Sequence, residues 1–169
     1  MATNETHRSA STPQDADGFC VGIVSAHAKA EIVGPLVAGT KKALIERGIA
    51  RRDIVYMHGL RPFDLPFMAK RLMESEGGRL DGVICLGLLV RDEMADQFAF
   101  QSEAVARGIM KLNVKGKVPV IYGVLTCESE DQAQKFLGMD EGVSADHGWE
   151  WAKALVELVR LNRQLEHEP

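Results

Sequence analysis

The sequence predicts an α/β three-layer sandwich built on a central four-stranded parallel sheet. Four short apolar runs alternate with longer stretches of helical spacing, the pattern that produces a parallel sheet covered by helices on both faces. The third and fourth runs are almost continuously apolar, as expected of parallel strands buried on both sides. At 169 residues the chain suits one compact domain with a sizeable core and is short for two.

Phe19 to Ser25 (FCVGIVS) is the first expected strand, followed by a helix in which Ile32/Val33, Leu36/Val37, Thr40 and Ala43/Leu44 recur on one face. Gly48 stands where a helix C-terminal cap belongs. Asp53 to His58 (DIVYMH) reads as the second strand. Leu65 to Gly77 reads as the second helix, with Pro66 in its first turn, where a missing N–H costs nothing. Asp81 to Val90 (DGVICLGLLV) is the third strand, Ala95 to Leu112 the third helix and Val118 to Thr126 (VPVIYGVLT) the fourth strand. A short helix over Ser129 to Leu137 follows. The final helix carries an expected apolar stripe of Trp151, Leu155, Leu158 and Leu161, with one of Trp149 and Trp151 in the core and the other free for a subunit contact. The polar stretch 1–17 reads as a flexible arm, 18–165 as the domain and 166–169 as a tail, which puts His7 and His167 in terminal segments.

The net charge of −4 and the lack of a basic stripe argue against a nucleic-acid partner. The longest apolar stretch, Gly82 to Val90, falls far short of the roughly 20 residues of a membrane span. With no apolar leader at the N-terminus, a cytoplasmic location is expected. Cys20, Cys85 and Cys127 have no CxxC spacing and are expected to be reduced, buried thiols. The histidines show no metal spacing, and neither a metal nor a cofactor is expected. Walker, GxGxxG, HExxH and GxSxG signatures do not occur.

Ligands of parallel α/β sheets bind beyond the carboxyl ends of the strands, so site residues should follow Ser25, His58, Val90 and Thr126. His27 and His58 fall there, as hydrogen-bonded loop histidines or as proton-transfer groups. Arg91, Asp92, Glu93 and Asp96 follow the third strand, either as a solvated loop leading into a helix or as a grip on a polar substrate.

Five segments, in order, carry a resemblance. GIVSAHAKAEIVGPLVAGT is similar to a strand, an aromatic–Asn pair and a PLV-G helix. RPFDLPFMAKRL is similar to G-[SA]-[FW]-E-[LI]-P, and QFAFQSEAVARGIM to HF-[DE]-Y-x-x-EA-x-x-GI. VPVIYGVLTCESEDQAQKF and DHGWEWAKALVEL resemble PV-x-FG-[VL]-LT-x-x-x-x-EQA-x-x-R and the HGNDWG-x-A-x-EM ending of fungal members. Together these resemble the lumazine synthases across most of residues 19–162. The resemblance implies a flavodoxin-like fold of the lumazine synthase type and cofactor-free condensation of 5-amino-6-(ribitylamino)uracil with 3,4-dihydroxy-2-butanone 4-phosphate. It also implies a pentameric homo-oligomer with sites between neighbouring subunits.

Matched position by position, the family's pyrimidine-stacking aromatic falls at Ala28 and its neighbouring Asn at Lys29. The ribityl-binding Glu falls at Asp64, after a retained aromatic, Phe63. The phosphate loop falls within Asp92, Glu93, Met94 and Ala95, where carboxylates replace backbone donors and a hydroxyl. The phosphate-binding Arg falls at Phe136, the proton-transferring His at Gln97 and the ring-contacting Phe at Tyr122, while His147 is retained. An amide cannot exchange protons near neutral pH.

The leading expectation is therefore a divergent enzyme acting on another small molecule in the inter-subunit pocket, by condensation or other carbonyl chemistry. In that reading His58 or His27 moves protons, Asp64 binds hydroxyls and Arg91 holds an anion, with Gln97 and Tyr122 lining the site. The alternatives are lumazine synthase activity through relocated residues such as Lys135, Arg91 and His58, or a non-catalytic ligand-binding subunit that co-assembles with a lumazine synthase.

Overall fold

The computed structural model describes residues 16–91, 96–137 and 147–167. The elements follow one another as β1 (Val21–Ala26), α1 (Ala30–Glu46), β2 (Ile54–Gly59), α2 (Leu65–Ser75), β3 (Gly82–Val90), α3 (Phe98–Lys115), β4 (Val120–Cys127), α4 (Glu130–Phe136) and α5 (His147–His167). The four strands form one sheet in the order β2-β1-β3-β4, all parallel. The parallel α/β sheet expected from the alternating pattern, and the flavodoxin-like architecture implied by the resemblance, are thus observed.

β3 is buried along all nine residues and β1 along all six, which explains why their sequences read as continuous rather than alternating apolar runs. Two cores flank the sheet. On one face α1 and α5 pack through Ile32, Leu36, Leu44, Leu155 and Val159 against Val21, Ile23, Ile84 and Leu86. On the other, α2 and α3 pack through Leu65, Leu72, Val105 and Ile109 against Val24, Val83, Cys85 and Val124. All three cysteines are free and buried. Burial pushes the Cys85 thiol up to about 12, which keeps it protonated and inert.

The helix boundaries have local causes. Gly48 takes φ +100° just past α1 and donates its N–H to Ile45 O (3.0 Å), the C-terminal stop expected of it. α2 stops at Ser75 because Gly77 and Gly78 both turn left-handed (φ +58° and +86°). α3 runs to Lys115, three residues beyond the expected end. Asn113 stays inside it by donating its amide to Ile109 O (3.3 Å) and exchanging hydrogen bonds of 2.8 Å with both the N–H and the carbonyl of Val120. That side chain thereby anchors the start of β4.

The last helix corrects an expectation. Its buried face is Ala152, Leu155, Val156 and Val159, whereas Leu158 and Leu161 are 43% and 56% exposed. The expected stripe was rotated by about one residue, because leucines occupy both the core face and the outer face of the helix. Trp149 and Trp151 both pack half-buried against the core, and Trp149 lies under the Arg47 guanidinium (5.1 Å) and the Lys153 ammonium (5.4 Å). The helix runs through His167, past the expected domain boundary at 165. Most of the segment expected to be a flexible arm lies outside the described residues. Ala16 is buried, its N–H donating to Arg47 O (3.1 Å). Among the described residues no helix is long and apolar enough to cross a membrane.

α1 and α5 approach closely where Gly148 meets Thr40. A Cβ at Gly148 would lie 2.5 Å from Thr40 N and 2.8 Å from Gly39 C, both backbone atoms that cannot rotate away. Gly148→Ala is therefore expected to destabilise the domain by about 1–3 kcal/mol. In a thermal melt that is a fall of roughly 2–4 °C per kcal/mol for a chain of this size.

Candidate functional site

The carboxyl ends of β1 and β2 are joined by backbone hydrogen bonds from His27 N–H to Gly59 O (3.0 Å) and from Ala28 N–H to Leu60 O (3.1 Å). These bonds extend the parallel ladder beyond the strands and place His27, Ala28 and His58 together. The two imidazole rings are exposed, with centroids 5.8 Å apart and tilted by 42°. Strand alternation puts Tyr56 on the same face as His58, at 6.2 Å. Tyr56 also shares a hydrogen bond of 2.8 Å with the buried Ser25 hydroxyl and carries the Lys41 ammonium 3.8 Å over its ring. Sequence reasoning missed this Ser25–Tyr56–Lys41 group, which depends on β2 pairing with β1 in the register Ser25↔His58.

Lys29 opens α1 in a left-handed conformation (φ 59°, ψ 47°), the one positive φ outside glycine among the described residues. Its carbonyl accepts the N–H groups of Ile32 and Val33 (both 2.9 Å), so the strained turn starts the helix. This conformation costs an ordinary L-residue about 1–2 kcal/mol, and Asn much less. The backbone geometry thus suits the Asn that the family resemblance places here, while the side chain is a lysine paired with Glu130 at the start of α4.

After β2, a turn of 3-10 helix over Pro62–Asp64 leads into α2. Asp64 accepts the Arg61 backbone N–H (3.2 Å) and is gripped by the Arg61 guanidinium (3.3 and 3.1 Å). The Asp64 hydrogen bond, with its charge, raises the Arg61 pKa further. Asp64 is accordingly occupied on both oxygens, although lone pairs remain. Phe63 beside it is 51% exposed. Arg61 was not foreseen as a site residue. Its spacing of three before Asp64 is the signal that could have shown it.

Arg91, immediately after β3, pairs with Glu128 (Nε to Oε2, 2.5 Å) and lies 4.7 Å over the Phe98 ring. The cations following β1 and β3 are therefore both engaged by carboxylates following β4. Asp92 and Glu93 lie outside the described residues. Gln97 stands exposed at the start of α3, its side-chain oxygen accepting from the Gln101 amide (3.1 Å).

The remaining expected site residues lie on β4 and beyond. Tyr122 pairs in register with Cys85 on the face covered by α2 and α3, half-buried, and burial pushes its phenol up. Phe136, at the end of α4, stacks flat on His147, with centroids 4.3 Å apart and planes within 7°. His147 Nε2–H donates to the Phe136 carbonyl (3.2 Å), which fixes the tautomer. Behind it Trp151 lies at 5.9 Å, tilted 33°.

Within one chain His27, Ala28, His58, Phe63 and Asp64 surround the ends of β1 and β2, and Arg91 and Gln97 follow β3. Tyr122 lies on the α2/α3 face of β4, and the Phe136–His147–Trp151 rings lie on its other side. β2 and β4 are the opposite edges of the sheet, three spacings of about 4.8 Å apart. The sheet order thus sets the residues after β2 and those along β4 on opposite edges, with the Lys29–Glu130 pair spanning between the loops that carry Ala28 and Phe136. Among the described residues no group of three or more His, Cys, Asp or Glu side chains could hold a metal ion.

The open parallel sheet, with polar and aromatic groups gathered at the carboxyl ends of its strands, places the chain in the flavodoxin-like α/β class. Residues 18–163 match the family described as 6,7-dimethyl-8-ribityllumazine synthase, and the chain belongs to that family. Similar proteins carrying that name come from distant sources. One from Limosilactobacillus reuteri is 31% identical over 145 residues, covering 86% of this chain and 90% of the relative. One from Pyricularia oryzae is 30% identical over 188 aligned positions (90% and 93%), and one from Thermococcus gammatolerans is 34% identical over 150 (88% and 91%).

Lys29→Asn, Lys29→Ala and Lys29→Val all remove the ion pair to Glu130 and differ in how well they accept φ 59°. Stability is expected to fall in that order, with the β-branched valine at least about 1 kcal/mol below asparagine. Chemical denaturation of the three variants measures it.

Proposed function

We propose that the chain is a divergent member of this family that acts on a small molecule other than the phosphorylated family substrate, in a pocket completed by a neighbouring copy. The observation that carries the reading is the flat Phe136–His147 stack, which stands where the family resemblance places a phosphate-binding arginine. A planar hydrocarbon ring offers no donor to a dianion, and losing one charge-assisted hydrogen bond costs about 1.5–3 kcal/mol. Of the cations at this edge, Lys29 and Arg91 are already paired with Glu130 and Glu128, which leaves Lys135 as the relocated phosphate ligand of the alternative reading.

The chemistry fitting the remaining groups is condensation or another carbonyl reaction assisted by proton transfer. His58 or His27 exchanges the proton through an exposed ring nitrogen, a role the Gln97 amide cannot fill. Asp64, oriented by Arg61, accepts from substrate hydroxyls on its free lone pairs. Ala28 leaves space where the family has a ring, and Phe63 and Tyr122 supply apolar walls from opposite sheet edges. Arg91 contributes to an anion only if it leaves Glu128. A homo-oligomer, pentameric by the family resemblance, brings the β2 edge of one copy to the β4 edge of the next.

A second reading is lumazine synthase itself working through relocated residues. It is favoured by the match over residues 18–163 and by the shared name of relatives that cover most of the chain. Calorimetric titration with 5-amino-6-(ribitylamino)uracil and with orthophosphate, alongside a turnover assay with both family substrates, separates the two. The first reading predicts no measurable orthophosphate binding and no lumazine formed. It also predicts that Phe136→Arg, which adds one charge-assisted hydrogen bond, brings phosphate binding into the measurable range. Micromolar binding of both ligands with turnover overturns it in favour of the second.

A further inference from the structure

We infer that Phe136 is a stacking platform for a planar, unphosphorylated ring and thereby selects the substrate class of the pocket. The inference rests on the proposed reading that the pocket forms between copies and has lost its phosphate site.

The Phe136 ring is 51% exposed, and one of its faces is covered by His147. About half of the residue's surface thus stays open to contact. This ring is also held in place. The His147 Nε2–H bond to the Phe136 carbonyl ties the stacked imidazole to the backbone that carries the phenyl ring. Trp151 backs the imidazole and rests in turn on the sheet at Gly123. A Cβ at Gly123 would lie 3.2 Å from Trp151 Cδ2 and 2.8 Å from Cys85 O, so only glycine lets the indole settle there without a shift. The result is a ladder of rings running from β4 outward to Phe136. A ring fixed before binding loses little conformational freedom on stacking, and offset stacking adds to the area it buries.

The surrounding charges define the ligand. Glu130 and Asp131 occupy the first turn of α4, and Glu128 precedes them. Lys135 is the one basic side chain in the last turn of that helix. Glu128 and Glu130 are paired with Arg91 and Lys29, which leaves Asp131 against Lys135 and no net positive charge to draw an anion, a setting that suits a neutral ring. Ala28 leaves the other side of the site without a ring face, so Phe136 takes over stacking from the opposite wall of the pocket.

The test is calorimetric titration of the full chain with quinazoline-2,4-dione, a neutral planar bicycle, with orthophosphate as the anion control. Wild type and Phe136→Tyr are expected to bind the bicycle. Phe136→Leu, which keeps apolar volume but removes the ring face, is expected to weaken binding roughly ten-fold. His147→Ala, which unbacks the platform, should weaken it by less. Circular dichroism and sedimentation of each variant verify that fold and assembly are kept. Equal affinities for wild type and Phe136→Leu, or no binding by wild type up to about 1 mM, overturn the inference. Tight orthophosphate binding with lumazine turnover would overturn the phosphate-loss reading by itself, whereas the Phe136→Leu comparison judges the platform alone.

Discussion

The architecture depends on one constraint, the complete burial of β3 between two helical layers. All nine of its residues are shielded, so each neighbour must cover it from a defined side. β1 and β4 pair with its edges, α1 and α5 close one face, and α2 and α3 close the other. With β3 and β1 central, β2 and β4 become the outer strands. This order keeps the groups after β2 and those along β4 apart within one chain and exposes each on its own edge. In the proposed reading, a site that uses both groups is completed by assembly.

A second layer of interactions ties the carboxyl edge together. Lys29 reaches Glu130 and Arg91 reaches Glu128, so the loops after β1 and β3 are linked to the loop after β4 by ion pairs. Partly exposed pairs contribute little to stability. Their greater effect is on chemistry, because they neutralise the cations nearest the site. Under the proposed reading, these pairs and the apolar Phe136 suit the edge to an uncharged ligand rather than to a phosphate. The left-handed turn at Lys29 is a backbone geometry that asparagine tolerates better than lysine.

Much of the fold was legible in the sequence because burial writes itself into periodicity. The continuous apolar run of β3, the one-sided spacing of α1 and the stop at Gly48 all follow from local rules. The final helix was misread because Leu158 and Leu161 are as apolar as Leu155, and hydropathy alone cannot say which leucines face the core. At the site, the positions of His27 and His58 followed from strand ends, and those of Phe63 and Asp64 from the family resemblance. Their partners did not. The Lys29–Glu130 pair joins residues 101 apart, and the Ser25–Tyr56 bond depends on strand register, which no local pattern states. The Phe136–His147 stack was invisible for the same reason, although each residue had been marked separately.

The central claim is that the two halves of the site meet only between copies of the chain. Sedimentation velocity of the full-length protein at micromolar concentration tests it most directly. The account predicts one assembled species of five chain masses or a multiple of that, with no appreciable monomer. A stable monomer, above all one that still binds a small ligand involving both Phe63 and Phe136, would contradict it.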